Sequence, residues 1–456
     1  MTGNIHIPFV AACSYPRRAG NAVRPLVDGV PAFRRIAEAV TAARHSVWLT
    51  VAFYAPDFQM PDRGGPLFDV LDRAVDRGLD VRVIFWRPNQ ESIGYGGVFL
   101  GSPEDRKMLD ARGSRFRIRW DRAQGAYCQH QKSWLIDAGQ PAETALVGGI
   151  NLTAKAMGSP GHRSGGDRHD AYVEITGPSA TDVHHNFVQR WNEASERAAD
   201  DGIWGHDADD VLSFPTRASM PCGASIVQIQ RTVHAGRYSD NHPSPGSQAH
   251  DIAGGERSIL EQYLQAIGAA QSSIYIENQA IPIPPVAAAL EAALGRGVEI
   301  VLLVPAEPES DVRAARKNPQ RRPLFEALAG LEKYPNFTLA GIEGLDARGR
   351  RNPIYVHSKI MLVDDAFATI GSCNLHAYSL SGHTEMNASI WDRHVVRALR
   401  CQLLAEHLDR DTAGIDDRAA FCLYREIARE NQRRREASDG RWQGLALSLD
   451  PAAYAA

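Results

Sequence analysis

The pattern His-x-Lys-x4-Asp occurs twice, and this duplication limits the possible folds more than any other feature. The first copy, HQKSWLID, supplies His130, Lys132 and Asp137; the second, HSKIMLVD, supplies His357, Lys359 and Asp364, with the histidines 227 positions apart. Both runs alternate and are rich in apolar residues, so each His and its Lys are expected on one face of a strand, and the Asp, at an odd offset, on the other. Each run leads into a small-residue step and an asparagine: Gly148-Gly149-Ile150-Asn151, and Gly371-Ser372-Cys373-Asn374. A chain that repeats so specific a unit builds the same lobe twice.

The flanks repeat as well. PAFRRIAEAVTAA spaces Phe33, Ile36, Val40 and Ala43 along one helical face, SVWLTVAFY reads as a buried strand, PLFDVLDRAV as a helix, and Arg77-Gly78-Leu79-Asp80 leads into the strand VRVIFW. In the second half RSILEQYLQAIGAA, SIYIENQ, PPVAAALEAALG and Arg296-Gly297-Val298-Glu299 before IVLLV follow the same order. The expectation is an α/β protein of two duplicated α/β/α sandwich lobes related by a pseudo-twofold, each with a largely hydrophobic sheet. Residues 1–200 would form the N-terminal lobe, 201–222 a linker, and 223–456 the C-terminal lobe; near the seam, charge, Gly and Pro replace periodicity.

The chemistry follows from residue type. A phosphodiester is anionic and repels anionic nucleophiles, whereas a neutral imidazole can attack it and divide one hard displacement into two easier ones. A second imidazole must begin protonated to supply the leaving alkoxide, and small opposite shifts from a pKa of about 6.5 would set both roles. Lys132 and Lys359 act as point charges on the phosphoryl oxygens. Asn151 and Asn374 can donate side-chain N–H groups, and the small residues beside them, Ser372 included, complete the phosphate-binding set. Each imidazole also needs an acceptor on its other nitrogen. Asp170, in HDAYVEITGP after the first motif, and Glu385, in HTEMNASIWD after the second, are expected to serve, one in each half. Asp137 and Asp364 read as structural.

These residues resemble the phospholipase D superfamily, whose hallmark H-x-K-x4-D-x6-G-S-x-N is matched throughout by residues 357–374. The first copy departs, with Gly-Gly for Gly-Ser and a longer spacing, in the manner of eukaryotic-type and plant phospholipases D, as do IYIENQ, IYVHSKIMLVDD and HDAYVEITGPSATDVHHNFVQRWN. The likeness runs from about Phe33 to Trp391, with no lipid-binding front domain before it. It implies the phospholipase D fold, with both motifs meeting in one active site at the lobe interface, His130 as nucleophile and His357 as acid. The implied function is hydrolysis of the distal phosphodiester of phosphatidylcholine- or phosphatidylethanolamine-type lipids to phosphatidate and the head-group alcohol. A phosphohistidine intermediate would also permit transphosphatidylation. The alternatives are a cardiolipin-synthase-like phosphatidyltransferase, a nuclease of the same superfamily, and a catalytically inert binding protein, the last opposed by the intact His, Lys and Asn of both motifs.

Other features narrow the reading. The net charge of −4 argues against a nucleic-acid partner, and six scattered cysteines lack metal or disulfide spacing. No apolar run reaches the length of a membrane span, so the chain is expected to be a cytoplasmic or peripheral monomer acting on phospholipid at a membrane surface, with signal-independent export left open. No cofactor is expected: a lysine between the would-be ligands repels a metal ion. His162, Arg163 and His169 sit in a long polar loop as candidate head-group contacts. His184-His185 read as helix packing or surface, and Phe53, Tyr54 and Trp86 as core at strand ends that can also shape the pocket. The stretch Arg313–Arg322 is a second polar loop, and YREIARENQRRREASDG a solvated helix face.

Overall fold

A computed structural model describes residues 6–95, 99–163, 166–196 and 209–456. The strands of the central sheet are, in chain order, β1 (Arg18–Val27), β2 (Ser46–Val51), β3 (Asp80–Trp86), β4 (Arg117–Asp121), β5 (Ser133–Ile136), β6 (Thr144–Gly148) and β7 (Ala171–Thr176), then β8 (Ser225–Val233), β9 (Ser273–Glu277), β10 (Glu299–Leu303), β11 (Phe337–Leu345), β12 (Ile360–Val363), β13 (Phe367–Gly371) and β14 (Glu385–Trp391). The principal helices are α1 (Gly29–Ala42), α2 (Leu67–Asp76), α3 (Ala180–Asn192), α4 (Ser258–Ala269), α5 (Pro284–Gly295), α6 (Arg393–Leu408) and α7 (Asp417–Glu436).

The strand order is the same in each half. In the first it runs β4-β3-β2-β5-β6-β7-β1, parallel over the first two pairings and antiparallel over the rest. In the second it runs β11-β10-β9-β12-β13-β14-β8 with the same polarity at each step. β1 also pairs with β8, Arg18 against Val227 and Asn21 against Ser225, so the two halves join into one mixed sheet. Alternation divides the side chains between its faces. Trp48 and Tyr275 enter a core shared by both halves and roofed by α3, α6 and α7. Their neighbours Val47 and Leu49 pack under α1 and α2, and Ile274 and Ile276 under α4 and α5. This is the expected α/β/α layering, and truncating a buried Ile such as Ile274 to Ala would cost about 2–5 kcal/mol.

The repeat extends to single side chains. Arg77 donates to the carbonyls of Val40 and Ala43 at the end of α1, and Arg296 to those of Ile267 and Ala270 at the end of α4, so each satisfies orphan carbonyls with a cation. Asp137 accepts the backbone N–H groups of Arg44, His45 and Ser46. Asp364 does the same for Gln271, Ser272 and Ser273. Both Asp residues take the left-handed conformation, φ 54° and 55°, and fix the start of the strand beside their motif.

Several details differ from the sequence expectation. The core begins before residue 30: β1 was hidden by Gly20 and Pro25, which punctuate its alternation. The first part of the expected linker, 201–208, lies outside the described residues; 209–222 carries no helix or strand. His184 and His185 agree with the expectation of helix packing: both are buried, His184 against Glu143 at 2.8 Å and His185 against the Tyr15 hydroxyl at 3.2 Å. The α7 helix buries Phe421, Tyr424 and Ile427, so only its outer face is solvated. No helix among the described residues is long and apolar enough to cross a membrane.

Candidate active site

Each HxK segment is an extended stretch just before its strand, β5 or β12, and each is tied to the opposite half. The His130 N–H donates to the Thr384 carbonyl at 2.9 Å, beside a bridge between Gln129 and Thr384. The His357 N–H donates to the His169 carbonyl at 2.8 Å, beside the pairing of Tyr355–Val356 with Arg168–His169. These crossings carry the next residue of each partner strand, Glu385 or Asp170, under the other half's imidazole.

The carboxylates are therefore exchanged. His130 Nδ1 lies 2.9 and 3.0 Å from the two oxygens of Glu385, and His357 Nδ1 lies 2.5 Å from Asp170 Oδ2. The sequence expectation set each carboxylate beside the motif of its own half. Each does head a strand in the sheet of its own half, but at the strand's start the backbone crosses to the other half, which sequence distance cannot register. Both Nδ1 atoms being engaged, each Nε2 is left for chemistry.

All six side chains are buried, and burial dominates their electrostatics. The desolvated imidazoles of His130 and His357 are held well below the usual value, with Lys132 and Lys359 adding repulsion. Gly149, which follows the first motif, lies against both Asp170 and Lys359, so the two motifs share one neighbourhood. Opposite shifts were expected; both shift down, because both rings are buried and the same two ammonium groups add to the effect. Burial lowers Lys132 to about 8 and Lys359 to about 7. Burial also raises both carboxylic acids, Asp170 to about 7. Glu385 accepts from the hydroxyls of Ser372 (2.6 Å) and Ser379 (2.5 Å) as well as from His130. Among the described residues Asp170 meets only the Ala171 N–H (2.8 Å) besides His357.

The motif glycines have a steric cause. A Cβ at Gly149 would stand 2.4 Å from Asp170 Oδ1 and 3.2 Å from Lys359 Cδ, so no side chain fits there. Lys132 Nζ donates to the His130 carbonyl at 2.8 Å, and Lys359 Nζ donates to the His357 carbonyl and to Gln279 Oε1. The amide oxygens of Asn151 and Asn374 are buried without a partner among the described residues, so neither amide is locked in place. Phe53 closes one side, its ring 6.0 Å from that of His130 and 5.8 Å from Lys132 Nζ, while Tyr54 and Trp86 are core. Sequence reasoning missed Arg168, whose charge reaches His357 and whose guanidinium lies 5.1 Å from the Tyr355 ring; its place beside Asp170 was the available signal.

His162 and His169 do not line a head-group pocket. Both are buried beneath the site in a cluster with Asp28 and Glu406. His162 Nε2 is 3.4 Å from His169 Nδ1 and 3.5 Å from both Asp28 Oδ1 and Glu406 Oε1, and His169 Nδ1 is 3.0 Å from Asp28 Oδ1. Such separations match the edges of a tetrahedron around a cation held at about 2.0–2.1 Å. The outer nitrogens meet carboxylates too, His169 Nε2 with Glu277 at 3.1 Å and His162 Nδ1 with Asp167 at 3.5 Å. These four residues could hold a divalent ion, and they stand apart from the two HxK motifs. Arg163 is exposed.

A family model described as "Phospholipase D" matches residues 163–282, and one described as "Cardiolipin synthase, PLD-like domain" matches residues 263–406. Cardiolipin synthase A of Pseudomonas entomophila is 25% identical over 83% of the chain and 67% of its own length. Phospholipase D beta 2 of Arabidopsis thaliana is 26% identical over 85% of the chain and 57% of its own length. The chain thus spans a little over half of the second relative, and the two identities do not single out the plant branch. The crystal structure of phosphatidylserine synthase from Haemophilus influenzae shares the fold, with a TM-score of 0.54 at 13% identity over 84% of each chain.

Proposed function

The chain belongs to the phospholipase D superfamily, and on that footing we propose that it hydrolyses the distal phosphodiester of glycerophospholipids, releasing phosphatidate and the head-group alcohol. The observation that carries this reading is the crossed pair of His–carboxylate contacts in one buried, twofold-like site flanked by two lysines.

His130 Nε2 attacks phosphorus while Glu385 holds its Nδ1–H. The bond from phosphorus to the head-group oxygen breaks, and that oxygen takes the proton held by the His357–Asp170 pair. Asp170, raised to about 7, keeps that pair protonated near neutrality. Lys132, Lys359 and the two asparagines bind the phosphoryl oxygens, whose charge redistributes in the transition state. The His357–Asp170 pair, now short of that proton, takes one from water through His357 Nε2 as the water oxygen attacks phosphorus; the N–P bond breaks and His130 is restored. An alcohol in place of water gives transphosphatidylation with the same atom balance.

A second reading, a phosphatidyltransferase of the cardiolipin-synthase type, is favoured by the family model over residues 263–406 and by the Pseudomonas relative. Product analysis separates the two. With a panel of phospholipids the first expects phosphatidate plus free head group, and with phosphatidylglycerol alone the second expects cardiolipin plus glycerol. Cleavage of DNA without turnover of any phospholipid would overturn both.

A further inference from the structure

Few large apolar side chains are exposed among the described residues, and three of them lie on segments that flank His383, the neighbour of His130. Ile93 and Tyr95, on the turn Ile93–Tyr95, are 53% and 44% exposed, and Tyr378, on the short helix Ala377–Ser381, is 40% exposed. The Tyr95 and Tyr378 rings both pack on His383, with centroids 5.7 and 5.8 Å away, and the His383 ring lies 6.0 Å from that of His130. The tyrosines thus stand on the outer side of the ring that walls the nucleophile. Exposed Tyr is costly in water alone, yet its apolar body and polar tip suit the interface between lipid and water.

The rim continues into charge. The Tyr378 ring is 6.5 Å from that of His376, and on the other side the Tyr355 ring, 6.2 Å from that of His357, is hydrogen-bonded to Glu309, the residue before the helix Ser310–Lys317. From there RAARKNPQRR, residues 313–322, carries five cations and no acid. Arg313 lies 3.8 Å from Glu307, and Arg316 is occupied by the Ala452 carbonyl and the Phe325 ring. Lys317, Arg321 and Arg322 are exposed and have no ion pair among the described residues. The helix Ser310–Lys317 spans about 12 Å, and Arg321 and Arg322 follow it on the turn Pro319–Arg321 and the helix that starts at Arg322.

We propose that Ile93, Tyr95, Tyr378 and the cationic segment Arg313–Arg322 form a rim that docks the cleft onto an anionic phospholipid bilayer. The proposal rests on the reading of a phospholipid substrate. The apolar tips enter the head-group layer, the cations pair with anionic head groups, and the phosphodiester reaches both imidazoles without leaving the bilayer surface. Cations with exposed rings also fit single-stranded nucleic acid, but Ile93 adds nothing to base stacking, and the chain's net charge of −4 opposes a polyanion over the rest of its surface.

The test is co-sedimentation with vesicles of phosphatidylcholine with and without phosphatidylglycerol, beside turnover of a water-soluble short-chain phospholipid. The double variant Arg321→Glu/Arg322→Glu should bind anionic vesicles at least about tenfold more weakly, with neutral vesicles unaffected. Tyr95→Ser/Tyr378→Ser should weaken binding to both, and short-chain turnover should stay at the wild-type rate in every variant. The proposal fails if the wild type does not sediment, if the variants bind as the wild type does, or if single-stranded DNA binds more tightly than anionic vesicles. Wild-type sedimentation without short-chain turnover would instead sink the proposed reaction and leave the rim standing.

Discussion

The two half-sites share one backbone plan yet give their carboxylates unlike sets of partners. Glu385 receives two hydroxyl donors, Ser372 and Ser379, and a histidine. Asp170 receives one backbone N–H and a histidine, and sits at about 7. The difference traces to one aligned position. Where the second motif has Ser372, the first has Gly149, and a Cβ there would collide with Asp170. Behind Glu385 stands Thr384, bonded to Gln129; behind Asp170 stands His169, bonded to Asp28 and Glu277. A twofold scaffold thus acquires direction: an acceptor held by two hydroxyls under one imidazole, a carboxyl at about 7 under the other.

The strongest way to break that comparison is at the rings. His130→Ala should cost about 10⁴-fold or more in kcat, read by head-group release. His357→Asn should cost a similar factor with natural lipids, yet still accumulate phosphohistidine at residue 130 when the leaving group is p-nitrophenolate, detected by mass spectrometry. A phosphate found instead on His357 in the His130→Ala variant would reverse the direction. Next in size, Asp170→Asn should lose about 10²-fold, since it keeps a partner for Nδ1 but removes the titrating carboxyl. Asp170 and Lys359 must both be protonated and both sit at about 7, so the wild-type rate is present below that pH and falls as pH rises through it. The fall should follow two protons in the wild type and one in Asp170→Asn.

Ser372→Ala should have a milder effect, about tenfold. With one donor gone, the carboxyl of Glu385, already raised by burial, rises further. Its ionised form is then lost at a higher pH, and the acid limb of the rate profile moves up. The smallest effect expected is at the buried cluster behind Asp170. Dialysis against a chelator should lower the melting temperature by about 2–4 °C if Asp28, His162, His169 and Glu406 hold an ion, and leave it unchanged if the imidazoles alone balance the two acids.

Much of the fold was legible because local pattern and global arrangement agree. Alternation in SWLI and IMLV, helical spacing in PAFRRIAEAV, and the paired Arg-Gly turns each report a contact made within a few residues or with the adjacent strand. What failed to be legible lies across the join. Nothing local in HDAYVEITGP or HTEMNASIWD records that each carboxylate serves the other motif, because the exchange is made by tertiary crossings at His169 and Thr384. The direction of the histidine shifts was missed for the same reason, since it comes first from burial at the join, to which two ammonium groups from both halves add. The buried cluster unites residues 28, 162, 169 and 406, no two of them at metal-ligand spacing.

The crossed contacts also bear on engineering. A single-motif half with this geometry would lack the acid for its own ring, and two halves would have to associate for either imidazole to be complete. Divided between residues 209 and 222, the gene should yield two fragments silent by themselves and active when co-expressed, a reporter of proximity whose signal requires both.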